Sequence, residues 1–270
     1  MGHYVGVNGG SEVLGGMRGL AVLFFLWGTG VVMAADARIA VAANFRDTAL
    51  TVARYLEADS SHRYEIIAGS TGKLASQIIN GAPFDVLMAA DPDRPQQLME
   101  RGLAVPESYF IYAIGELGLW WPDAPVPVSV NALRDLDPRS VGIANPAFAP
   151  YGQAAWRVLN NADLEAEWLH NIVRVDNINV VTGLVAQRQA KAGFVARSAV
   201  IAGTRKGSVK ADPDDLLWFS EDARIEQALV VMERARDNVA VHYWIEQLQS
   251  SAVRELIRRD GYDQIAGQDQ

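Results

Sequence analysis

The sequence predicts an α/β fold of two domains joined by crossover strands, and three observations carry that expectation. Strand-like apolar runs alternate with helical patterns from residue 38 to residue 102. The alternation restarts near residue 141, and a late apolar run, Ala228-Leu229-Val230-Val231-Met232, leads the chain back towards the first unit. Such alternation marks parallel sheets flanked by helices. With 270 residues the chain is long enough for two medium domains with real cores.

Residues 38–43 read as a buried strand, and Asn44 then opens a helix through Leu50, Ala53 and Leu56. Tyr64, Ile66 and Ile67 mark a second strand. After it come the turn Gly69-Ser70-Thr71-Gly72 and a helix with Leu74, Ile78 and Ile79 at helical spacing, stopped by Gly81-Ala82-Pro83. Residues 84–90 make a third strand, and Asp91 starts a helix ending at Arg101-Gly102. Residues 109–121 form a long extended segment in which Gly115 and Gly118 mark a bend or bulge. The second unit reads as strand 141–144, turn Ala149-Pro150-Tyr151-Gly152, helix 153–160, strand 172–175, helix 180–189 and strand 193–196. Extended runs follow at 216–219 and 227–232. Helices 239–248 and 253–259 close the chain and pack back on the first unit. The implied division is residues 36–114 plus 226–270 for one lobe and 115–225 for the other. Ligands of such sheets bind beyond the carboxyl ends of strands, and closure about short hinges is the expected motion.

The amino terminus does not read as globular. Met17-Arg18 precedes an apolar run from Leu20 to Met33, and small residues surround Ala34 to Ala37. A basic start, a short apolar core and a small-residue exit describe a secretory signal peptide over residues 1–35, with Met17 as an alternative start of translation. The run falls short of the roughly 20 residues that a membrane-spanning helix needs. The chain has no cysteine, so no lipid-anchored form is expected, and the mature protein is expected free in a periplasm.

Half the residues are hydrophobic and 21% are charged, which suits a soluble globular protein. The net charge of −8 speaks against nucleic acid as a partner. An anionic ligand would need local donors that overcome that field. The turn at Ser70-Thr71 supplies such a place, because uncovered backbone amides and the helix dipole both favour negative charge; an ordinary N-cap is the alternative. A nucleotide P-loop fits worse, since Ile67 stands where its first glycine should be and Leu74 follows the lysine. Asn44 holds the equivalent position after the first strand, and Tyr151 and the helix start at Asn179-Val180 are the candidates from the second unit. Asn44 also suits a helix cap and Tyr151 a loop pin. All are uncharged donors, suited to an oxyanion that is bound but neither protonated nor attacked. Lys73 reads as a solvated helix-face lysine. Asp91 and Asp93 bracket Pro92 as a metal pair would, although capping explains them as well. The histidines, His3, His62, His170 and His242, show no ligand spacing. No nucleophile–base arrangement, metal site or cofactor fingerprint is evident, so neither an enzyme nor a cofactor is expected.

Several segments together resemble the periplasmic molybdate-binding proteins of ABC importers. They are Val41-Ala42-Ala43-Asn44-Phe45, the turn Gly69-Ser70-Thr71-Gly72 with the helix after it, and Asp85 to Asp91. Asn145-Pro146 with Ala149-Pro150-Tyr151-Gly152, and Gly193-Phe194-Val195, complete the set. The resemblance implies a two-domain Venus-flytrap fold that closes on molybdate or tungstate. It implies oxyanion ligands at Asn44, the backbone of Ala43, Ser70, Thr71, Tyr151 and the Val180 amide, with no direct metal ligand. The implied partners are a membrane permease and its ATPase, and the implied state is a monomer. Two departures stand out. Ala43 replaces a hydroxyl residue found in many members, and Ala196 replaces a tyrosine of another branch, which Tyr151 is expected to substitute. A receptor of the same fold for another oxyanion such as sulfate or a phosphonate, and an exported enzyme using the cleft, are the alternatives.

Overall fold

The structure is a computed structural model and describes residues 35–124, 128–219 and 223–263. The expected signal segment therefore lies outside the described residues, apart from Ala35. Strand β1 (Ala37–Ala42) is the buried centre of the first half. Its Ile39, Ala40 and Val41 have no exposed surface, as expected of a parallel strand covered on both faces. It pairs in parallel with β2 (Tyr64–Gly69) on one side and β3 (Val86–Met88) on the other. The second half has its own parallel set, with β5 (Val141–Ala144) between β6 (Val173–Val175) and β7 (Ala192–Ala196).

Two long antiparallel strands join these sets. Strand β4 (Phe110–Trp120) pairs along much of its length with β9 (Arg224–Val231). Strand β9 also pairs with β3, and β4 with β7 and the short β8 (Leu217–Trp218). The sheet order is β2-β1-β3-β9-β4-β7-β5-β6, so both crossover strands stand between the halves.

Helix α1 (Arg46–Asp59) buries Ala49, Val52, Ala53 and Leu56, the stripe that helical spacing predicts. Helices α2 (Thr71–Ile79) and α3 (Asp93–Glu100) cover the other face of the first sheet. The second half carries α4 (Pro150–Asn160), α5 (Ala166–Asn171), α6 (Ile178–Ala186) and α7 (Arg197–Arg205). Helices α8 (Val239–Leu248) and α9 (Ser251–Arg259) return to the first half, where Trp244, Leu248, Val253 and Ile257 share a core with β1 and Phe45.

Three local features differ from the expectation. Helix α4 starts at Pro150 rather than 153, because proline is pre-set for the first helical position and needs no amide partner there. Helix α6 starts at Ile178 rather than 180, because Asn177 caps it through bonds from the Asn179 and Val180 amides. The irregularity in β4 falls between Ile111 and Ala113, not at its glycines. Gly115 and Gly118 instead give room to the Tyr151 phenol and the Trp218 ring. Helices α5 and α7 were not expected from the sequence pattern.

Candidate functional site

Each parallel strand hands the chain to a helix at its carboxyl end, and these ends meet at the crossover strands. The single helical turn Ala43–Phe45 follows β1, α2 follows β2, and Ala90 lies just beyond β3. From the second half come the starts of α4, at Ala149, Pro150 and Tyr151, and of α6, at Asn177 and Ile178. Together with Ala42, Ala43, Asn44, Ser70 and Thr71 they line a cavity of about 10 Å³, room for about one water. None of the lining side chains is charged.

The structure brings Ala43, Asn44, Ser70, Thr71 and Tyr151 to this cavity. Ser70 is 3% exposed and precedes the first residue of α2, yet its hydroxyl makes no capping bond and has no partner at all. A buried polar atom without a partner is costly and is uncommon in folded proteins. Thr71 is fully buried, and its Oγ1 accepts the Ala90 amide at 3.0 Å. A hydroxyl that accepts there keeps its proton to donate elsewhere. Tyr151 is buried in the first turn of α4, and its oxygen accepts from Gln227 Nε2 at 3.4 Å.

Asn44 is placed differently from a simple side-chain ligand. Its Nδ2 donates to Gln227 Oε1 at 2.9 Å and to the Tyr262 oxygen at 3.1 Å, so both amide hydrogens point into a buried polar network. Val180 is not brought to the cavity. Its side chain is exposed, and its amide donates to Asn177 Oδ1 at 3.3 Å. Ala196 ends β7 inside the second core and lines no part of the cavity.

The electrostatics favour an anion without any cationic side chain. Three helices, α2, α4 and α6, begin at this cavity, and the positive end of a helix dipole favours negative charge. The Gly72 amide of α2 is, however, taken by the Phe148 carbonyl, and the Asn179 and Val180 amides of α6 by Asn177. Burial pushes the Tyr151 phenol well above its ordinary range, with smaller contributions from Tyr262 and Glu116, so the group keeps its proton. Asp91 lies next to the lining residue Ala90, and burial raises its carboxyl. Its Oδ1 accepts the Arg94 amide at 2.8 Å, which is a helix-start bond rather than metal ligation. Among the described residues no group of three or more His, Cys, Asp or Glu side chains is arranged to hold a metal ion.

The two halves are in contact around the cavity. The Gly72 amide donates to the Phe148 carbonyl at 2.9 Å, and Asn179 Nδ2 donates to the Ala43 carbonyl at 2.6 Å. Ser198 donates to the Asn44 carbonyl at 3.2 Å. Lys73 is not simply solvated, since it pairs with Asp176 and lies 5.8 Å from the Phe148 ring centre. Asp47 and Lys206 are joined at 2.6 Å.

The sequence model of the bacterial extracellular solute-binding proteins matches residues 37–263. The chain belongs to this family. Among curated relatives of this solute-binding protein, the molybdate-binding protein ModA of Rhodobacter capsulatus is 33% identical over 90% of this chain and 95% of its own. ModA of Azotobacter vinelandii is 35% identical over 85% of this chain and 90% of its own. The solved periplasmic molybdate-binding protein of Azotobacter vinelandii superposes with a TM-score of 0.75 and 26% identity, covering 85% of this chain and 99% of that one. The sulfate-binding protein SubI of Mycobacterium tuberculosis superposes at 0.65 with 11% identity, over 87% of this chain and 88% of that one, a likeness of fold alone. The solute-binding protein thus has the two-domain fold expected from its sequence.

Sequence reasoning missed several residues of this region. Asn177 is an N-cap, and an asparagine just before an apolar helical run was a usable signal. Gln227 is a lone amide in an apolar strand, also visible but not interpretable without its partners. Ser198 and Tyr262 gave no signal, because nothing local marks either as reaching Asn44.

Proposed function

We propose that this protein is a periplasmic receptor that captures molybdate or tungstate between its lobes and delivers it to the permease and ATPase of an ABC importer. The observation that carries the reading is the unpartnered Ser70 hydroxyl, buried in a charge-free cavity where three helices begin. The cavity gives its lining hydroxyls no carboxylate, imidazole or amine among the lining side chains to activate them, and they serve as hydrogen-bond donors. It supplies fixed dipoles that replace the hydration shell of a dianion, each hydrogen bond to the charge contributing about 1.5–3 kcal/mol. The molybdate-binding relatives support the choice of ligand.

The lobes are residues 36–114 plus 226–270 and residues 115–225, and residues 1–35 are the export signal. The first lobe contributes the Ser70 and Thr71 hydroxyls and the backbone amides of Ala43 and Asn44. The second contributes the Tyr151 hydroxyl and the start of α6, where Ile178 lines the cavity. The Val180 amide joins the set only if it leaves Asn177. A five-atom oxyanion is larger than the one-water space between the lining residues, so binding requires the lobes to part and close again about β4 and β9. Discrimination against sulfate comes from cavity size, because both anions want the same donors. The receptor acts as a monomer.

A thermal-shift and calorimetric titration with molybdate, tungstate, sulfate and phosphate tests this. A ligand at 100 times its dissociation constant adds about 2.7 kcal/mol of stability. Molybdate and tungstate should raise the midpoint, and sulfate and phosphate should not. Equal affinity for sulfate overturns the ligand assignment, and no shift with any of the four overturns the oxyanion reading.

A further inference from the structure

Gln227 sits on β9 with no exposed surface, and its amide is held from three directions. Oε1 accepts from Asn44 Nδ2 at 2.9 Å and faces the Tyr112 hydroxyl at 3.0 Å, whose one proton is shared between it and the Ala89 carbonyl at 3.2 Å. Because Oε1 faces two donors, Nε2 is the end turned to Tyr151, whose oxygen it meets at 3.4 Å. One side chain on a crossover strand thus touches Asn44 of the first half and Tyr151 of the second. Packing alone does not call for this residue, since burying an amide in a strand core is unfavourable unless its bonds are made.

We infer that Gln227 is a positioning residue for Tyr151 and, through it, for the bound oxyanion. A phenol has one proton and two acceptor lone pairs. When Nε2 donates to the phenol oxygen, that oxygen is the acceptor of the bond, and its own proton remains to be given to an anion in the cavity. The orientation of the glutamine is set in turn by Asn44 and Tyr112, so the state of the first lobe is transmitted to the donor of the second. The inference rests on the reading of Tyr151 as an oxyanion donor. Gln227 itself touches no ligand.

A double-mutant cycle on the full protein separates the two claims. Molybdate affinity is measured by calorimetry for wild type, Tyr151→Phe, Gln227→Leu and the double variant, with the unliganded melting midpoint of each as the folding control. Tyr151→Phe is expected to weaken binding by roughly tenfold or more, the loss of one bond to a charged ligand. Gln227→Leu is expected to weaken it by several fold in the wild type and by less than about twofold once Tyr151 is phenylalanine, the coupling expected of residues in direct contact. Additive losses overturn the positioning role while leaving Tyr151 a ligand. An unchanged affinity in Tyr151→Phe overturns the Tyr151 reading itself. Should Gln227→Leu not fold, Gln227→Met serves, being neutral and close to glutamine in length. Its thioether cannot donate to the Tyr151 oxygen, so affinity should fall in the wild type and change little in the Tyr151→Phe background; a loss of equal size in both backgrounds overturns the inference.

Discussion

The phenol oxygen of Tyr151 rests directly on the backbone of Gly115, and a Cβ at position 115 would overlap it and lie 2.6 Å from Gln227 Nε2. Gly115 has an ordinary backbone conformation, since it is not among the glycines of positive φ. Its role is therefore space, not flexibility. Gly115→Ala should destabilise the fold by about 1–3 kcal/mol through overpacking, and should weaken oxyanion binding as much as Tyr151→Phe does by displacing the hydroxyl. Gly183, in the interior of α6, has nothing within 4 Å of a built Cβ and makes the control. Gly183→Ala should be neutral or stabilising by up to about 1 kcal/mol, with affinity unchanged. Calorimetry and melting curves on both variants read the difference.

Ser70 separates a ligand donor from a helix cap. Replacing a working N-cap by alanine costs about 1 kcal/mol of stability, but the Ser70 hydroxyl caps nothing and is buried without a partner. Ser70→Ala should therefore leave the unliganded melting midpoint unchanged or raise it, while weakening molybdate binding about tenfold. A lower unliganded midpoint with unchanged affinity would return Ser70 to the ordinary capping role.

The pattern of what could be read from the chain follows from locality. Strands β1 and β3 were legible because they are covered on both faces and read as unbroken apolar runs, and α1 has a clear apolar stripe. Helix α7 was missed although its buried face of Ser198, Val200 and Gly203 is periodic, because that face is short and carries one large apolar side chain. Asn177 and Ile178 were missed and Val180 was named in their place, whereas Ala43, Asn44, Ser70, Thr71 and Tyr151 could be found from their positions after strands. The network behind them could not, because Asn44 and Tyr262 are 218 residues apart and only the folded sheet brings them together.

The pair Lys73–Asp176 joins the two halves beside the lining residues Thr71 and Asn177. Both side chains are about half exposed, so the pair adds little to global stability. Its effect belongs to the closed state, where it is made together with the Gly72–Phe148 backbone bond. Asp176→Asn should change the melting midpoint of the unliganded protein by little and increase the ligand dissociation rate by a few fold, an effect that shrinks as salt is raised. The Lys73 hydrogen bond holds the Asp176 carboxyl below its ordinary range. The contribution is thus complete above about pH 4 and lost as pH falls through the lowered value. Stopped-flow release rates at low and high salt measure this.

The Tyr151 phenol fixes the pH behaviour of the site in the opposite sense. Burial raises its titration well above the ordinary value of about 10, with Tyr262 and Glu116 adding to the rise. A group raised in this way contributes stability that is complete below its ordinary value and lost as pH rises through the raised one. Tyr151 therefore keeps its donor proton throughout the neutral and mildly alkaline range, and no lining side chain carries a carboxylate or an imidazole that titrates there. Molybdate affinity should stay flat from about pH 7 to 9, and the ratio of wild-type to Tyr151→Phe affinity should stay constant with it. Calorimetric titrations at several pH values in that range test the point. A loss of affinity centred in that range and absent from Tyr151→Phe would show the phenol ionising there, against the effect of its burial.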